Sequence, residues 1–417
     1  PEGCLYGAVL RSSWPAAKIL SVDLEPALKL RGVKAAILVR EGERQVRYYG
    51  DEIAAVAATS KQIAFDALRA IKVVAESQPH VVKEEQAAAA EAPRVFPETP
   101  NTTPGRERSG GDVEMGLAQA DVVVEGLYAT QVEIHQPMET HGGVAHFKDG
   151  ELTAWHSTQG ISSVRDGLAG AVELPQSKVR VMGPFMGGGF GSKFSAGVEG
   201  MLAARLSRAA GAPVRLMLTR FDESLAVGNR PSTFQKIRLG AKADGTITAF
   251  SMESYGCAGY AAGGPSAGGA TNSGFPAPYI YRAPNFRALH TEISMHTGAA
   301  AAFRAPGCPP ASFGIESIMD ELAVRLGIDP GALRIMNDPS PVRQQQYRLA
   351  AERFGWAAKY RTPGSSPGPV KTGVGCAGSA WSVPGGGTQA EIEVSPDGSV
   401  EIRCGTQDLG TGTHTLI

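Results

Sequence analysis

The chain has 417 residues, of which 42% are hydrophobic and 19% are charged, an ordinary globular composition with enough length for two or three domains. Its formal net charge of -1 excludes a basic surface that holds nucleic acid or an anionic membrane through overall charge. The five cysteines contain no Cys-x-x-Cys pair, which argues against a zinc ribbon, a cysteine-ligated cluster or a disulfide framework.

Residues 1–83 are predicted to form a small α+β unit. Short runs rich in strand-forming residues, such as LYGAVLRS and VKAAILVR, precede the segment SKQIAFDALRAIKVVAES. The apolar residues of that segment recur at helical spacing, and Ser60 is the expected N-cap. Residues 84–113 have no periodicity and are rich in Ala, Pro, Glu and Gly, so we predict an exposed linker.

Residues 114–340 are predicted to form the main domain. Its Asp-Gly pairs, of which Asp149-Gly150 is the first, predict β-hairpins. Helices are predicted to end at Gly211 and Gly327, because glycine readily adopts the left-handed conformation that closes a helix.

The C-terminal part of the sequence is predicted to begin a further domain. Residues 341–370 are rich in polar residues and proline, and we predict a connecting region there. From residue 371 the pattern of strand, Asp-Gly hairpin and glycine-rich polar loop returns, so 371–417 is predicted to be the truncated start of a second domain related to the first. No apolar run approaches the ~18 residues that a membrane helix needs.

The stretch MGPFMGGGFGSKF, residues 182–194, contains five glycines. Ordering so many glycines is costly, which indicates that the main chain comes close to another group there. A concave set of main-chain N–H groups suits an anion or an oxygen ligand, and a plain strand-to-helix turn is the alternative. A Walker loop does not fit, because Phe194 stands where Ser or Thr would follow the lysine.

Three further stretches place polar groups beside turns or helix ends. Gln159 follows a predicted strand in HSTQG, and Arg304 precedes a predicted helix in AFRAPG. The triplet 410–412 forms a glycine-rich turn in TQDLGTGTHT. Each stretch alone has an ordinary structural interpretation, as a loop hydrogen bond, an ion pair or a turn. Their combination and order along the chain form a specific signal.

This combination resembles the molybdenum-binding large subunit of the xanthine dehydrogenase/aldehyde oxidase family. The motifs QPMETHGG, HSTQG, MGGGFGSK, AFRAPG and TQDLGTGTHT are similar to successive blocks of its molybdopterin-binding domains. The N-terminal segment is similar to its α/β-hammerhead domain. The resemblance covers nearly the whole chain and implies an α+β fold, with a hammerhead domain followed by molybdopterin-binding domains of mixed sheets and helices.

The resemblance implies roles for individual residues. It places Gln159, Phe190 and Arg304 at the catalytic centre, where the Gln159 side-chain amide and the Phe190 main-chain amide face oxygen ligands of the metal. These groups are hydrogen-bond donors, as oxygen ligands and phosphates require. The implied cofactor-binding residues are Gln159, Gly188, Gly189, Phe190, Gly191, Arg304, Gly410, Thr411 and Gly412.

No protein ligand to molybdenum is implied, because the dithiolene of the pterin holds the metal in this family. Four residues in VEIHQPMETHGGVAHF have side chains that bind metals elsewhere, but their spacing suits a strand and a bend rather than a tetrahedral site. We therefore expect packing roles for these four residues: His135, Glu139, His141 and His146.

The family reaction is hydroxylation with water as the oxygen source, and the reaction that we expect here is oxidation of an aldehyde to a carboxylic acid. Electrons are expected to pass to partner subunits that carry a 2Fe-2S cluster and FAD, and the expected cofactor is molybdopterin as the cytosine dinucleotide. The family's general-base glutamate lies in a Gly-x-Gly-Glu segment, whereas the similar string GVGCA carries Cys376 and comes too early. We therefore expect this glutamate beyond Ile417, and no turnover by these residues alone.

Departures from the family pattern bear on the substrate. Phe194, Asn272 and Pro306 stand where purine-oxidising members carry a glutamate, an arginine and a stacking aromatic residue, which favours a neutral aldehyde. Trp381 and Ser382 are expected in the pocket wall, with a core position as the alternative for Trp381. Hydroxylation of an N-heterocycle, such as a purine or a nicotinate-like ring, is an alternative function, and a non-catalytic scaffold that binds partner subunits is another. The compartment stays open between cytoplasm and periplasm, with the cytoplasm slightly favoured.

Overall fold

The computed structural model describes residues 1–42, 44–105, 107–260, 278, 280–381 and 387–417. Numbered along the chain, its strands are β1 (Leu5–Arg11), β2 (Ala17–Asp23), β3 (Val33–Leu38), β4 (Arg44–Val46), β5 (Glu52–Ala58), β6 (Lys72–Ser77), β7 (Thr102–Pro104), β8 (Arg108–Gly110), β9 (Val122–Thr130), β10 (Glu133–Ile134), β11 (Gly142–Lys148), β12 (Glu151–His156), β13 (Val179–Met182), β14 (Val214–Met217), β15 (Asn229–Arg230), β16 (Thr233–Ala241), β17 (Ile247–Gly259), β18 (Asn285–Ser294), β19 (Ala390–Val394) and β20 (Val400–Cys404). Its α-helices are α1 (Glu25–Leu28), α2 (Lys61–Ala70), α3 (Glu84–Ala87), α4 (Val113–Ala118), α5 (Ile161–Ala171), α6 (Gly197–Ala210), α7 (Arg220–Ala226), α8 (Cys308–Leu326), α9 (Pro330–Asn337), α10 (Pro341–Phe354), α11 (Trp356–Lys359) and α12 (Thr413–Leu416). The predicted α+β class is confirmed, with helices packed against several mixed sheets.

A seven-stranded sheet joins the N-terminal unit to the main domain. Its strand order is β13-β12-β11-β14-β1-β5-β3, and β1 runs parallel to β14 with Leu5 opposite Val214. Leu5 also donates its main-chain N–H to the carbonyl of Pro213 at 2.8 Å. Residues 1–83 and the main domain therefore share one continuous sheet, and the division of the chain at residue 83 stays a prediction.

Strand β5 is buried over its whole length, because both faces of this sheet are covered. Ala55 and Ala57 belong to the hydrophobic cluster that includes α5 and α6, whereas Ala54, Val56 and Ala58 belong to the cluster that includes α2. Successive side chains of a strand point to opposite faces, so this alternation places β5 between two helical layers.

Helix α2 is shorter than its sequence pattern predicts. Ser60 caps it as expected, and its Oγ accepts a hydrogen bond from the Ile63 N–H at 3.2 Å. The helix ends at Ala70, and Lys72–Ser77 forms β6, which pairs with β2 in a three-stranded sheet. The prediction of helix as far as residue 77 is wrong, because pairing with β2 decides the conformation of this short segment.

A six-stranded sheet carries the core of the main domain. Its strands lie in the order β7-β18-β17-β16-β9, with β8 also beside β18. Helix α8 packs against it, and Ile237, Met252, Ile315 and Leu322 are each at most 2% exposed. Gly327 closes α8 with φ of 67°, so the predicted end of this helix is confirmed.

The segments predicted as a linker and as a connecting region contain regular structure. Within 84–113, β7 and β8 extend the six-stranded sheet, and Val95 and Asn101 are buried. Within 341–370, α10 forms a helix of 14 residues. The prediction of an exposed linker is wrong at β7 and β8, whereas the connecting region at 341–370 stays a prediction and contains a helix. Three-residue strands take their conformation from a neighbouring strand, and α10 buries no residue, so it has no apolar stripe.

The C-terminal segment forms the hairpin β19–β20 around the predicted Asp397-Gly398 turn. Its strands pair in antiparallel register with Ala390 opposite Cys404, and nearly all their side chains are exposed. In the described part of the chain, no helix is both long enough and apolar enough to cross a bilayer.

Candidate functional site

Gln159 and the glycine-rich loop that follows β13 are joined by hydrogen bonds. The Gln159 Oε1 accepts from the Gly191 N–H at 2.8 Å and from the Lys193 N–H at 3.3 Å. Gln159 in turn donates its main-chain N–H to the Lys193 carbonyl at 2.8 Å. Because both side-chain partners are N–H donors, the amide oxygen must face them, and Nε2 is the remaining donor. Among the described residues, Nε2 finds no acceptor.

Phe190 stands at the centre of this loop in a conformation that side-chain-bearing residues seldom adopt. Its φ is 56°, and its carbonyl accepts from the Arg304 N–H at 2.6 Å. Within the described chain, the main-chain N–H groups of Gly188, Gly189 and Phe190 make no hydrogen bond to protein. The loop therefore offers three unpaired donors between two anchored ends, beside the free amide nitrogen of Gln159.

Close contacts with other protein groups explain why two positions of this loop are glycines. A Cβ on Gly189 would lie 2.5 Å from the Gln159 Oε1, and one on Gly191 would lie 2.4 Å from the Ala302 carbonyl oxygen. Gly191 also has φ of 114°. These glycines are required for the approach of the loop to Gln159 and to the segment before α8, which is a cause that the sequence pattern did not reveal.

His135 holds the segment that precedes α8 in place. The Nε2 of His135 donates to the Ala302 carbonyl at 2.8 Å, and its ring stacks on Phe303 with the centroids 4.4 Å apart. Burial lowers the pKa of His135, which favours the neutral ring. The Arg230 guanidinium lies over the Phe303 ring, with its central carbon 4.5 Å from the ring centroid.

The other three residues weighed as metal ligands occupy separate environments. His141 is buried, and its Nδ1 lies 3.0 Å from the Glu223 Oε1. His146 is half-buried on β11, opposite Thr153. Glu139 belongs to the group of contacts around Lys193.

Lys193 is 1% exposed although it carries an ammonium group. Its Nζ donates to the Glu139 carbonyl and to the Ser157 Oγ, both at 2.8 Å. The Ser157 hydroxyl donates to the Glu139 Oε2 at 2.6 Å, and the same oxygen accepts from the Gly187 N–H at 2.7 Å. Burial lowers the pKa of Lys193, partly offset by the nearby carboxylates. Sequence reasoning assigned Lys193 no role. A lysine at the end of a glycine loop resembles a phosphate-binding lysine, and no pattern showed that it points inward.

The predicted pocket residues differ in their exposure. The Arg304 side chain is exposed and finds no hydrogen-bond or ion-pair partner in the described structure, whereas Pro306 is half-buried. Phe194 is 50% exposed and Trp381 is 56% exposed, so a core position for Trp381 is wrong. Two further predicted pocket residues lie outside the described residues: Asn272 and Ser382.

In the predicted phosphate loop near the C-terminus, main-chain N–H groups bind a carboxylate of the chain itself. Gly410 and Gly412 have φ of 91° and 84°, and their N–H groups donate to the Asp408 Oδ1 at 2.8 and 3.2 Å. The His414 N–H donates to the other oxygen of the same carboxylate at 3.2 Å. Every hydrogen bond of this loop that the structure describes lies within 405–417, so the contacts do not bring Thr411 and its neighbours to Gln159.

Comparison with protein families assigns most of the chain to one kind of domain. Models of the molybdopterin cofactor-binding domain match residues 95–338 and residues 349–417. The chain belongs to the family of proteins that carry this domain, so the resemblance inferred from the motifs is confirmed.

Named relatives are molybdenum oxidoreductases. The aldehyde oxidoreductase molybdenum-binding subunit PaoC of Escherichia coli K12 is 30% identical over 99% of this chain and 58% of its own length. The nicotinate dehydrogenase large molybdopterin subunit of Eubacterium barkeri is 32% identical over 80% of this chain and 82% of its own length. The solved aldehyde oxidoreductase of Desulfovibrio gigas is similar with a TM-score of 0.85 and 26% identity, over 96% of this chain and 49% of that one. This chain thus spans about 58% of the length of the Escherichia coli relative.

The described donors fit the chemistry of a molybdopterin. Such a group presents metal-bound and phosphate oxygens, which are acceptors and need N–H donors held in place. The Gln159 Nε2, the Phe190 N–H and the exposed Arg304 guanidinium are all donors without a protein acceptor among the described residues. No carboxylate is hydrogen-bonded to these three groups in the described structure.

Proposed function

We propose that this chain is part of the catalytic subunit of a molybdenum hydroxylase that oxidises aldehydes to carboxylic acids. The observation that carries this proposal is the orientation of Gln159, whose oxygen is held by two loop amides. Its Nε2 is thereby fixed as a donor beside the unpaired Phe190 N–H. Bound molybdopterin supplies the redox-active metal at which water-derived oxygen is transferred and two electrons are accepted.

The residues of this chain bind and orient the cofactor in this proposal. The Gln159 Nε2 and the main-chain amides of Gly188, Gly189 and Phe190 donate to oxygen atoms of the cofactor. The Arg304 guanidinium holds an anionic or carbonyl oxygen at the edge of the same site.

The loop at 410–412 takes a phosphate of the pterin nucleotide in place of the Asp408 carboxylate, since both are anions that accept from the same N–H groups. We infer the cytosine dinucleotide form of the pterin.

The substrate that we infer is a neutral aldehyde. In this proposal Phe194, Pro306 and Trp381 line the pocket, and Phe194 and Trp381 are 50% and 56% exposed. A site lined this way binds by apolar contact and leaves orientation to a few donors. The name of the Escherichia coli relative, an aldehyde oxidoreductase subunit, supports this choice.

A second candidate is hydroxylation of an N-heterocycle. It is favoured by the Eubacterium barkeri relative, whose name is nicotinate dehydrogenase and of which the match covers 82%. Both candidates use the same cofactor contacts and differ only in the pocket.

The partners that we infer are a 2Fe-2S subunit and an FAD subunit, which take the electrons away. This inference is supported by relatives that are named as subunits of larger enzymes. We favour the cytoplasm as the compartment. A non-catalytic scaffold is the competing possibility, and a reading frame without a downstream Gly-x-Gly-Glu segment would favour it.

The decisive experiment uses the full-length subunit expressed with its neighbouring subunits. We expect molybdenum near one atom per subunit and dye reduction that depends on an added aromatic or aliphatic aldehyde. The variant Gln159→Glu keeps an acceptor for the Gly191 N–H but removes the amide donor and adds a negative charge. Loss of a hydrogen bond to a charged group costs about 1.5–3 kcal/mol, so we expect turnover to fall at least about tenfold.

The matched control is Gln176→Glu, at an exposed glutamine in the turn before β13, which should behave as wild type. A correctly folded subunit without molybdenum would remove the cofactor assignment. Faster turnover of nicotinate or of a purine than of any aldehyde would replace the first candidate with the second.

A further inference from the structure

We propose that Lys193 and Glu139 form a buried clamp that fixes the glycine loop, and that they are positioning residues for the cofactor site. The clamp consists of the Lys193 ammonium, the Ser157 hydroxyl and the Glu139 side chain and carbonyl. Its consequence for cofactor binding rests on the proposed function, whereas its effect on the loop does not.

The burial of Lys193 is expensive and therefore needs a compensating arrangement. Its side chain is fully buried, and its two acceptors are a carbonyl and a hydroxyl rather than a carboxylate. The nearest carboxylate oxygen, Oε2 of Glu139, lies 3.8 Å from Nζ. Removing an ammonium from water costs several kcal/mol, which an apolar residue of similar length avoids. A lysine at this position is thus poorly explained by packing alone.

The clamp holds the two ends of the donor-bearing loop. At the first end, the Glu139 Oε2 accepts from the Gly187 N–H at 2.7 Å. At the second end, the Lys193 side chain reaches back to the Glu139 carbonyl at 2.8 Å. The unpaired amides of residues 188–190 lie between these two anchors. Displacement of either anchor moves these donors.

The same clamp also sets the position of Gln159. The main chain of Lys193 binds Gln159 twice, through its carbonyl at 2.8 Å and its N–H at 3.3 Å. The Thr158 Oγ1 donates to the same Lys193 carbonyl at 3.0 Å. The Lys193 ammonium anchors the loop to Ser157. It therefore also fixes the main chain of Lys193, which orients the Gln159 side-chain amide. The Lys193 ammonium donates to the Glu139 carbonyl and to the Ser157 hydroxyl, and we infer that it acts through these two groups.

The test compares three variants of the full-length subunit, prepared with its partner subunits. Lys193→Met removes the ammonium and keeps the length. Glu139→Gln keeps an oxygen for Gly187 and Ser157 but removes the negative charge, and Glu139→Ala removes the acceptor altogether. Lys236→Met is the matched control, because Lys236 is exposed and paired with the exposed Glu125 on the six-stranded sheet.

Two measurements are needed: hydrogen exchange of the Gly191 and Lys193 amides, and molybdenum and pterin per subunit. For Lys193→Met and Glu139→Ala we expect exchange at these amides to rise at least about tenfold, equivalent to losing one or two hydrogen bonds. Protection in β16 and β17 should stay within about twofold of wild type. Cofactor content should fall in parallel, with Glu139→Gln between wild type and Glu139→Ala.

Wild-type exchange at Gly191 in Lys193→Met would overturn the proposal, as would a loss of protection spread evenly over both sheets. If Lys193→Met does not fold, Glu139→Ala decides alone, and unchanged exchange in that variant refutes the clamp. The exchange comparison does not require bound cofactor. A wild-type subunit without molybdenum therefore refutes the proposed function and leaves the clamp to be judged by exchange.

Discussion

Replacing Gly189 by alanine tests whether the glycine loop is shaped by Gln159. The new Cβ would lie 2.5 Å from the Gln159 Oε1 and 2.9 Å from its Cδ, closer than non-bonded atoms can approach. The glutamine side chain is flexible and can turn away, but it then loses its bonds to Gly191 and Lys193 at 2.8 and 3.3 Å. Two neutral hydrogen bonds are worth about 1 kcal/mol each, so we expect a local cost of about 2 kcal/mol.

The assay is native-state hydrogen exchange of the Gly191 amide in the purified chain. A cost of about 2 kcal/mol corresponds to roughly 30-fold faster exchange. The control is Gly170→Ala in α5, where a Cβ meets no atom within 4 Å and should stabilise the helix by about 0.5–1 kcal/mol.

A double-mutant cycle with Gln159→Ala identifies the cause. In that background the glutamine is gone, so Gly189→Ala should cost almost nothing. An equal cost in both backgrounds would show that Gly189 is needed for another reason and would refute the reasoning.

Further predictions concern the loop, the buried histidines and the main-domain core. Gly191→Ala should cost more than Gly189→Ala in the same exchange assay. Gly191 has φ of 114°, and its new Cβ would lie only 2.4 Å from a main-chain carbonyl oxygen, which cannot turn away as a side chain can. Burial lowers the pKa of His156 and of His290 to about 4, so each stays neutral in the folded chain while the unfolded chain binds a proton below about pH 6.5. Stability should therefore fall as the pH drops from about 6.5 to about 4, by up to roughly 3 kcal/mol for each histidine. Denaturant unfolding at several pH values measures this slope, and an unchanged slope after both histidines are replaced by glutamine would contradict the assignment. Arg334 is fully buried and donates to Glu316 at 2.7 Å, so Glu316→Gln should cost about 3–5 kcal/mol in denaturant unfolding, and the pair Glu316→Leu with Arg334→Met should cost less. A similar cost for the single and the paired replacement would show that burial of charge is not the cause.

Local signals in the sequence predicted a large part of the fold. The Asp149-Gly150 hairpin, the Ser60 cap and the glycine at the end of α8 all depend on the conformation of one or two residues, which their own chemistry decides. The strands β6, β7 and β8 were missed, because short segments take their structure from the strand beside them. Helix α10 was missed because it lacks an apolar face.

The order of the motifs along the chain predicted part of the site. The structure brings Gln159, the loop around Phe190 and the main chain of Arg304 together by hydrogen bonds. The sequence did not show that Lys193 points into the protein, since its direction depends on the positions of Ser157 and Glu139. These contacts join stretches of chain that are far apart, and spacing within one motif carries no information about them.

The continuous seven-stranded sheet has a consequence for how the protein unfolds. Because β1 sits between β14 and β5, the first 83 residues supply interior strands to a layer whose other strands come from later in the chain. Deleting them would uncover the edge of β14 and strip Ala55 and Ala57 from the packing around α6. The N-terminal segment and the glycine-loop region should therefore melt in one cooperative transition, and a protease should not release the first as a folded piece.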